Sequence, residues 1–349
     1  MEKIFARLSQ ISASLVFLVL IGTMVTLYIA AKPAIEEFGA YFMIDSRWAV
    51  DVPTESTTTN PNSTEQNETS DSPSSTASTE DMELDNGINV GDEDINIGDE
   101  DINVGGEDDI NMGGDEDIAA TTEVYGGAIA IVGTVFSTII ALLFAIPLAM
   151  GIAIFLSEIA GPAVAKPVGI AIELLAAIPS IIYGMWGLFY FGPFIASLLG
   201  GHSVSLLIAG LVLGVMIIPF MAALSRDAIN TTPDVLKEAA YAVGATKFEV
   251  IKDIIFPYAK AGIIGSIIIS LGRALGETMA VAFVIGGVFA YADSITAPTN
   301  SIPVVLANNF SESSGISLSS LFYLSLILFV VSFIIIFTAK HYFLRREKI

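Results

Sequence analysis

Two charged residues, Arg273 and Glu277, lie four positions apart inside the apolar run 261–288, where their types and spacing can support chemistry. A charged side chain at the centre of a bilayer costs roughly 2.5–3.5 kcal/mol, so its presence there indicates a function or a partner. On a helix, Ser266, Ser270, Arg273 and Glu277 fall at i, i+4, i+7 and i+11, which predicts one narrow stripe. We expect this stripe to face the interior of a helical bundle or a water-filled path.

Two interpretations of this stripe are open. In the first, Arg273 and Glu277 pair with each other, because i and i+4 side chains are within reach, and the pair ties helices together. In the second, the stripe lines the path of a solute. An arginine offers a planar fork of donors that suits an oxyanion such as phosphate. The glutamate would then orient the arginine and moderate its charge, so that the anion is not held too tightly to leave.

Composition places these residues in a membrane protein. The chain has 349 residues, 53% of them hydrophobic, and a mean hydropathy of +0.71, which is too apolar for an ordinary soluble domain. A spanning helix needs about 20 predominantly apolar residues. Six stretches meet this requirement and predict an all-α membrane fold: 11–31, 128–156, 168–191, 205–224, 261–288 and 321–339.

The positions of lysine and arginine predict the orientation of the spans. With the N-terminus inside, twelve of these residues fall in inner segments, whereas only Lys32 and Arg47 fall outside. Positive residues favour the cytoplasmic side, so we expect a multi-pass protein of the cell membrane with both termini cytoplasmic. A cleaved signal peptide is the alternative for the first span, but its length of 21 residues exceeds the usual signal core.

Other residues exclude several kinds of site. The chain has no cysteine, which excludes disulfides and cysteine-based metal or redox centres. Its two histidines, His202 and His341, are far apart in sequence and do not form a metal-ligand cluster. We therefore predict no catalytic residue and no bound metal.

A long acidic segment separates the first two spans. The net charge is −22, and 25 of the 37 Asp and Glu residues lie between positions 31 and 126. Residues 53–80 are rich in Ser and Thr, and residues 88–118 repeat Asp, Glu, Gly and Ile. Dense like charge with low hydrophobicity predicts a disordered spacer. The repeat offers ligand types for weak Ca²⁺ binding but lacks the pattern of an EF-hand.

The predicted organisation therefore has three parts. Residues 1–34 form the first helix with a cytoplasmic N-terminus, and residues 35–125 form the extracytoplasmic low-complexity segment. Residues 126–349 form a five-helix core, which includes the cytoplasmic loop 225–260.

The loop 225–260 predicts a helical hairpin. Thr232-Pro233-Asp234 is typical of a helix start, with Thr232 as the cap. Gly244 predicts a C-terminal cap that ends the first helix, and Thr246 with Glu249 predicts a capping box for a second helix. We expect Pro257 to end that second helix.

The same loop resembles the EAA motif of ATP-binding-cassette importer permeases. Glu238, Ala239, Ala240, Gly244 and Pro257 match the motif without a gap. In that family the element docks into a groove of a cytoplasmic ATPase subunit, so the resemblance implies the same role for these residues. The chain has no G-x-x-x-x-G-K-[ST] phosphate loop. We expect it to bind no cofactor itself and to use ATP through a partner.

Three further stretches resemble phosphate-importer permeases of the PstC type: "RALGETMAV" at 273–281, "ELLAAIPSIIYGMWGL" at 173–188 and "MIIPFMAALSRDAI" at 216–229. The resemblance implies a type I importer fold. It also implies a second homologous permease, an ATPase dimer and an extracytoplasmic phosphate-binding protein as partners. Lipid would surround the bundle, phosphate would be the substrate, and no nucleic acid would bind. The acidic repeat departs from the family pattern.

Three alternatives remain open. A permease for molybdate, tungstate or sulfate would carry the same coupling loop. An ion-coupled secondary transporter could use Glu277 as a proton carrier, although the coupling loop argues against it. A surface sensor or adhesin would use the acidic segment, but six spans with an interior charge pair exceed what an anchor needs.

Overall fold

The computed structural model describes residues 2–53 and 121–345, which are predominantly helical. The helices are α1 Glu2–Phe38, α2 Ala128–Ile154, α3 Pro162–Ala176, α4 Ser180–Trp186, α5 Gly192–Leu199, α6 Leu206–Asn230, α7 Asp234–Ala242, α8 Lys247–Glu249, α9 Phe256–Leu275, α10 Met279–Ala282, α11 Ile302–Asn309 and α12 Gly315–Arg345. Strands β1 Trp48–Pro53 and β2 Thr121–Tyr125 pair as a two-stranded sheet. Three π turns extend helices: Phe155–Ile159 after α2, Gly187–Phe191 after α4 and Val250–Ile255 before α9.

Six stretches of the described chain are long and apolar enough to cross a membrane, as the sequence predicts. They are Ser9–Met43, Ala128–Ile159, Ser180–Leu199, Leu206–Asn230, Lys247–Leu275 and Gly315–His341. Four of these coincide with predicted spans, but the third and fifth are displaced along the chain.

The predicted third span, 168–191, is wrong in its position because the helix breaks in its middle. Helix α3 ends at Ala176, and Pro179 adopts an extended conformation with ψ 136° before α4 begins. A proline disfavours the helical conformation of the residue before it and lacks an amide proton to continue the ladder. The span therefore runs Ser180–Leu199, and α3 is a separate helix that packs against α6.

The predicted fifth span, 261–288, is displaced towards the N-terminus. Pro257 does not end the second helix of the hairpin, because the π turn Val250–Ile255 precedes it and α9 continues to Leu275. A π turn changes the local hydrogen-bond pattern, so a proline in the first turn after it removes no regular helical bond. The helix ends instead before Gly276.

The core of the bundle is the contact between α2 and α6. Small residues recur every four positions on α2, and Ala141, Ala145 and Ala149 are fully buried there. A side-chain carbon on Gly214 of α6 would lie 3.1 Å from the carbonyl oxygen of Ala141. Small residues of this kind let two membrane helices approach closely. The pair therefore forms the closely packed axis of the bundle.

An aromatic cluster closes the end of the bundle that carries the strands, called the strand end below. Trp48 of β1 stacks on Phe289 with centroids 5.3 Å apart and meets Tyr125 of β2 edge-on at 5.2 Å. Phe42, which is fully buried, stacks on Tyr323 of α12 at 4.6 Å. Residues 35–53 and 121–125, which the sequence assigned to the low-complexity segment, thus form helix, strand and packed core. The Ser/Thr-rich stretch from residue 54 onwards and the acidic repeat 88–118 lie outside the described residues.

Polar contacts hold α1 against α12. The hydroxyl of Ser319 donates to the carbonyl oxygen of Ala30 at 2.8 Å, and the Tyr323 hydroxyl donates to the carbonyl oxygen of Gly39 at 3.1 Å. Beyond α1, Arg47 and Asp45 form an ion pair at 2.6 Å. The donating Arg47 guanidinium holds the pKa of the Asp45 carboxyl below its usual value.

Candidate functional site

The predicted stripe on α9 is buried over its first part. Ser266 is 2% exposed and Ser270 is fully buried. The hydroxyl of Ser266 lies 2.7 Å from that of Ser225 on α6 and 2.7 Å from the carbonyl oxygen of Ile263. Ser266 therefore joins α9 to α6, and its hydrogen-bonding capacity is used within the protein.

The next two members of the stripe have unused polar atoms. Among the described residues, the Ser270 hydroxyl and the Arg273 Nε are buried without a hydrogen-bond partner. The Arg273 guanidinium lies over the ring of Phe220 on α6, with its central carbon 5.5 Å from the ring centroid. A buried donor without an acceptor is unfavourable, and a cation–π contact replaces only part of the lost hydration. The arrangement therefore offers donors that suit an anion from outside the chain.

Glu277 does not lie on the stripe, and this part of the prediction is wrong. Helix α9 ends at Leu275, so the i+11 position is no longer helical. The Glu277 carboxylate instead accepts from the backbone amide of Ala280 at 3.2 Å, at the start of α10. No ion pair between described residues joins Arg273 to Glu277. The first interpretation, a structural pair between these two charges, therefore lacks the contact that it requires.

The chain after α9 folds back into the bundle instead of continuing as a span. Val284 and Ile285 are fully buried, and the carbonyl oxygen of Val284 accepts from the amide of Ser205 at 2.8 Å. Gly286, with φ +103°, pairs with Thr299 in a parallel bridge. This returning segment explains why a helical stripe could not extend beyond Gly276. The sequence feature that could have predicted the end of α9 is Gly276 followed by the polar residues Glu277 and Thr278 inside an apolar run.

The helical hairpin at the opposite end of the bundle, α7 to α8, confirms two local predictions. Gly244 has φ +92°, its amide donates to Tyr241 at 3.0 Å, and the amide of Ala245 donates to Ala240 at 3.1 Å. This bond pattern is a Schellman motif. Thr246 and Glu249 form the expected capping box, in which the Glu249 carboxylate accepts from the Thr246 amide at 2.7 Å.

The predicted cap of α7 is wrong by one residue. Pro233 occupies the N-cap position, and the Thr232 hydroxyl is buried without a hydrogen-bond partner. The amide of Thr232 donates to Ile229, so Thr232 belongs to the turn that ends α6. Side-chain capping requires the threonine to sit next to the first helical residue, and Pro233 takes that place.

The hairpin presents apolar side chains to its surroundings. Val243 is 87% exposed and Phe248 is 71% exposed. Between the two helices lies a groove of about 590 Å³, lined by Ala239, Ala240 and Gly244 among others. Glu238 is exposed beside it. Exposed apolar surface at the end of a bundle marks an interaction site. We call α7, Gly244 and Phe248 with this groove the hairpin surface.

The fold and these two sites define a multi-pass membrane protein with a cation inside its bundle and an apolar surface at one end. The chain belongs to the family described as binding-protein-dependent transport system inner membrane component, which matches residues 131–348. It is therefore an inner-membrane permease subunit of a transport system and not an enzyme. The matched range includes both Arg273 and the hairpin surface.

Its relatives include proteins named phosphate transport system permease protein PstC. That of Pasteurella multocida is 46% identical over 246 residues, which cover 65% of this chain and 77% of the relative. That of Mesorhizobium japonicum is 43% identical over 245 residues, which cover 64% and 75%. The predicted resemblance is thus confirmed at the level of the whole core.

Two solved structures share the fold. An inward-facing conformation of the MetNI methionine ABC transporter matches with a TM-score of 0.50 and 19% identity, over 61% of this chain and 92% of that one. A bacterial alginate ABC transporter, in complex with an alginate-bound periplasmic protein, matches with a TM-score of 0.50 and 18% identity, over 63% and 78%. These likenesses confirm the predicted permease fold.

Proposed function

We propose that this chain forms, with a second homologous permease, the pathway through which an ATP-driven importer moves phosphate. The observation that carries the proposal is the Arg273 guanidinium, whose buried Nε has no partner in the described chain. The similarity to phosphate permeases over 77% of a relative's length supports the choice of phosphate over molybdate, tungstate or sulfate.

Arg273 would act as a transient binding group for the anion. Its planar fork can donate two parallel hydrogen bonds to one phosphate oxyanion, and the nearby Ser270 hydroxyl adds a neutral donor. Ser266 would join α9 to α6 and would not bind the anion, because its hydroxyl is already hydrogen-bonded to that of Ser225. Glu277, half-buried four residues on, would weaken the hold on the anion by its negative charge. Binding would then be strong enough for entry and weak enough for release.

The hairpin surface would receive the ATPase dimer. Its exposed apolar residues and the groove beside Ala239, Ala240 and Gly244 suit a protein partner that covers them. Glu238 would lie at the rim of that contact. Pro257 would act indirectly, because it follows the π turn through which the hairpin continues into α9. ATP would be bound and hydrolysed by the partner, and this chain would hold no cofactor.

The remaining assignments follow from charge. The excess of Lys and Arg at the hairpin end and at the termini favours a cytoplasmic location for both. The strand end would then face outward and receive an extracytoplasmic phosphate-binding protein. Phosphate would travel from that protein, past Arg273, to the cytoplasm.

Radiolabelled phosphate uptake tests the proposal. Vesicles would contain this chain, its partner permease, the ATPase and the binding protein, with and without internal ATP. We expect uptake that requires ATP and resists an excess of molybdate or sulfate. Uptake without ATP would instead support an ion-coupled transporter, and displacement by molybdate would change the substrate while keeping the class.

A deletion addresses the sensor or adhesin alternative. Removal of residues 54–120, with β1 and β2 joined by a short linker, leaves the described fold complete. We expect ATP-driven uptake to persist in this variant. Complete loss of uptake in a complex that still assembles would place an essential function in the acidic segment.

A further inference from the structure

A largely buried ion pair connects the hairpin surface to the core of the bundle. The Lys237 ammonium of α7 lies 2.7 Å from the Glu158 carboxylate, and these side chains are only 17% and 10% exposed. By contrast, Asp234, the other acid near Lys237, lies 3.7 Å away and is 87% exposed. Burial limits screening by salt, so the inner contact is the stronger of the two.

Glu158 belongs to the π turn that extends α2, the helix that forms the axis of the bundle with α6. At its other end, α2 reaches the strand end, where the Thr134 hydroxyl accepts from the amide of Ile302 at 2.8 Å. Helix α2 is thus continuous from the neighbourhood of the hairpin to the start of α11. A displacement applied to Glu158 would act on a helical element that spans the bundle.

The ion pair is also the polar connection between α7 and another span. No side chain of α7 is fully buried, and the backbone of α7 packs mainly against Val250–Ile255, which belongs to the same hairpin. Within the described parts of the chain, no second ion pair joins α7 to a different helix.

We infer that the Lys237–Glu158 pair transmits movement of the hairpin to α2, and so acts as a positioning pair that couples ATP hydrolysis to transport. The inference rests on the proposed docking of the ATPase at the hairpin surface. The pair touches neither phosphate nor ATP. Its loss should therefore alter the ratio of phosphate moved to ATP hydrolysed, whereas a merely structural role would change both in proportion.

The test measures uptake and ATP hydrolysis in the complete importer with Glu158→Gln, with Lys237→Met and with both residues exchanged. We expect each single variant to hydrolyse ATP within about twofold of the parent but to move about tenfold less phosphate per ATP, within the range usual for coupled sites. The exchanged pair should recover at least half of the ratio. Glu36→Gln, which removes the acid of the exposed Lys32–Glu36 pair on α1, is the control and should behave like the parent.

An unchanged ratio in both single variants would overturn the inference, as would equal losses of uptake and hydrolysis that follow the amount of assembled complex. The absence of any ATP-driven uptake by the parent complex would refute the proposed function and not the role of the ion pair.

A second variant keeps the test decisive if the exchanged pair does not assemble. The chain has no cysteine, so Glu158→Cys with Lys237→Cys introduces the chain's only two thiols. We expect low coupling before treatment and recovery after a short bis-maleimide joins the two residues. Joining that leaves the ratio low would refute transmission through this contact.

Discussion

Replacement of Arg273 by methionine separates a transport role from a structural role for this residue. Methionine keeps the length of the side chain and removes its charge. We expect Arg273→Met to abolish phosphate uptake while the protein folds and assembles at least as well as the parent. The reason is that the arginine has one attractive contact in the described structure, with the ring of Phe220, and a buried Nε without an acceptor.

The magnitude follows from these two contributions. A buried donor without an acceptor costs about 1–3 kcal/mol, and a cation–π contact returns about 0.5–2 kcal/mol, which leaves a net cost of at most about 2.5 kcal/mol. Methionine should remove that cost and still pack on Phe220. The variant should therefore be more stable by up to about 2.5 kcal/mol, despite its loss of function.

The assay combines unfolding in detergent–lipid mixtures, followed by the fluorescence of the two tryptophans, with uptake by the assembled complex. Arg226→Met is the matched control, since Arg226 forms an ion pair with Glu173 at 3.0 Å on the surface of the bundle. It should slightly reduce stability and leave uptake near normal. A loss of more than about 2 kcal/mol in Arg273→Met would show that the arginine is a structural group. Persistent uptake would remove Arg273 from the pathway.

Three other changes have defined outcomes. Gly244→Asp forces a side chain into φ +92°, at a cost of about 1–2 kcal/mol, and places a charge in the hairpin surface. ATP hydrolysis should therefore continue without phosphate uptake, and normal coupling of the two would contradict ATPase docking at this surface. Gly133→Ala would drive a methyl group into the backbone before α11, so the variant should fail to assemble. Gly151→Ala has open space around the new methyl group and should be neutral, and the yield of purified complex measures the difference between the two variants. Asp45→Asn should lower the free energy of unfolding by about 0.2–1 kcal/mol at pH 7, because it removes the ion pair with Arg47. The difference should shrink as the pH falls through the lowered pKa of Asp45, since the parent carboxyl then loses its charge as well. Unfolding curves at several pH values would show a constant difference if the ion pair contributes nothing.

The number of spans, the C-terminal cap at Gly244 and the capping box of Thr246 were predictable because each depends on neighbouring residues. A run of about 20 apolar residues must enter the membrane wherever it occurs. The bonds of Gly244 and the capping box of Thr246 join residues within five positions of each other. Similarity to a known family identified the hairpin surface for the same reason, since its motif is a continuous stretch of chain.

Tertiary structure decided where helices end inside apolar runs. Hydropathy does not distinguish a span from a segment that folds back, so the chain after Gly276 had the composition of a span but forms only the short helix α10 before it turns. Packing of Val284 and Ile285 into the core makes the returning path favourable. In the same way, the π turn before Pro257 made possible a continuous helix that local rules exclude.

The sequence by itself determined a membrane permease with six apolar spans, an arginine inside an apolar run and a helical hairpin, because these are properties of composition and of short patterns. Only the tertiary structure decided that Arg273 lies on Phe220 and not beside Glu277. The tertiary structure alone also placed Lys237 beside Glu158, which is 79 positions away in the sequence. Contacts between distant residues depend on how whole helices pack, and periodicity along one helix contains no information about its neighbour.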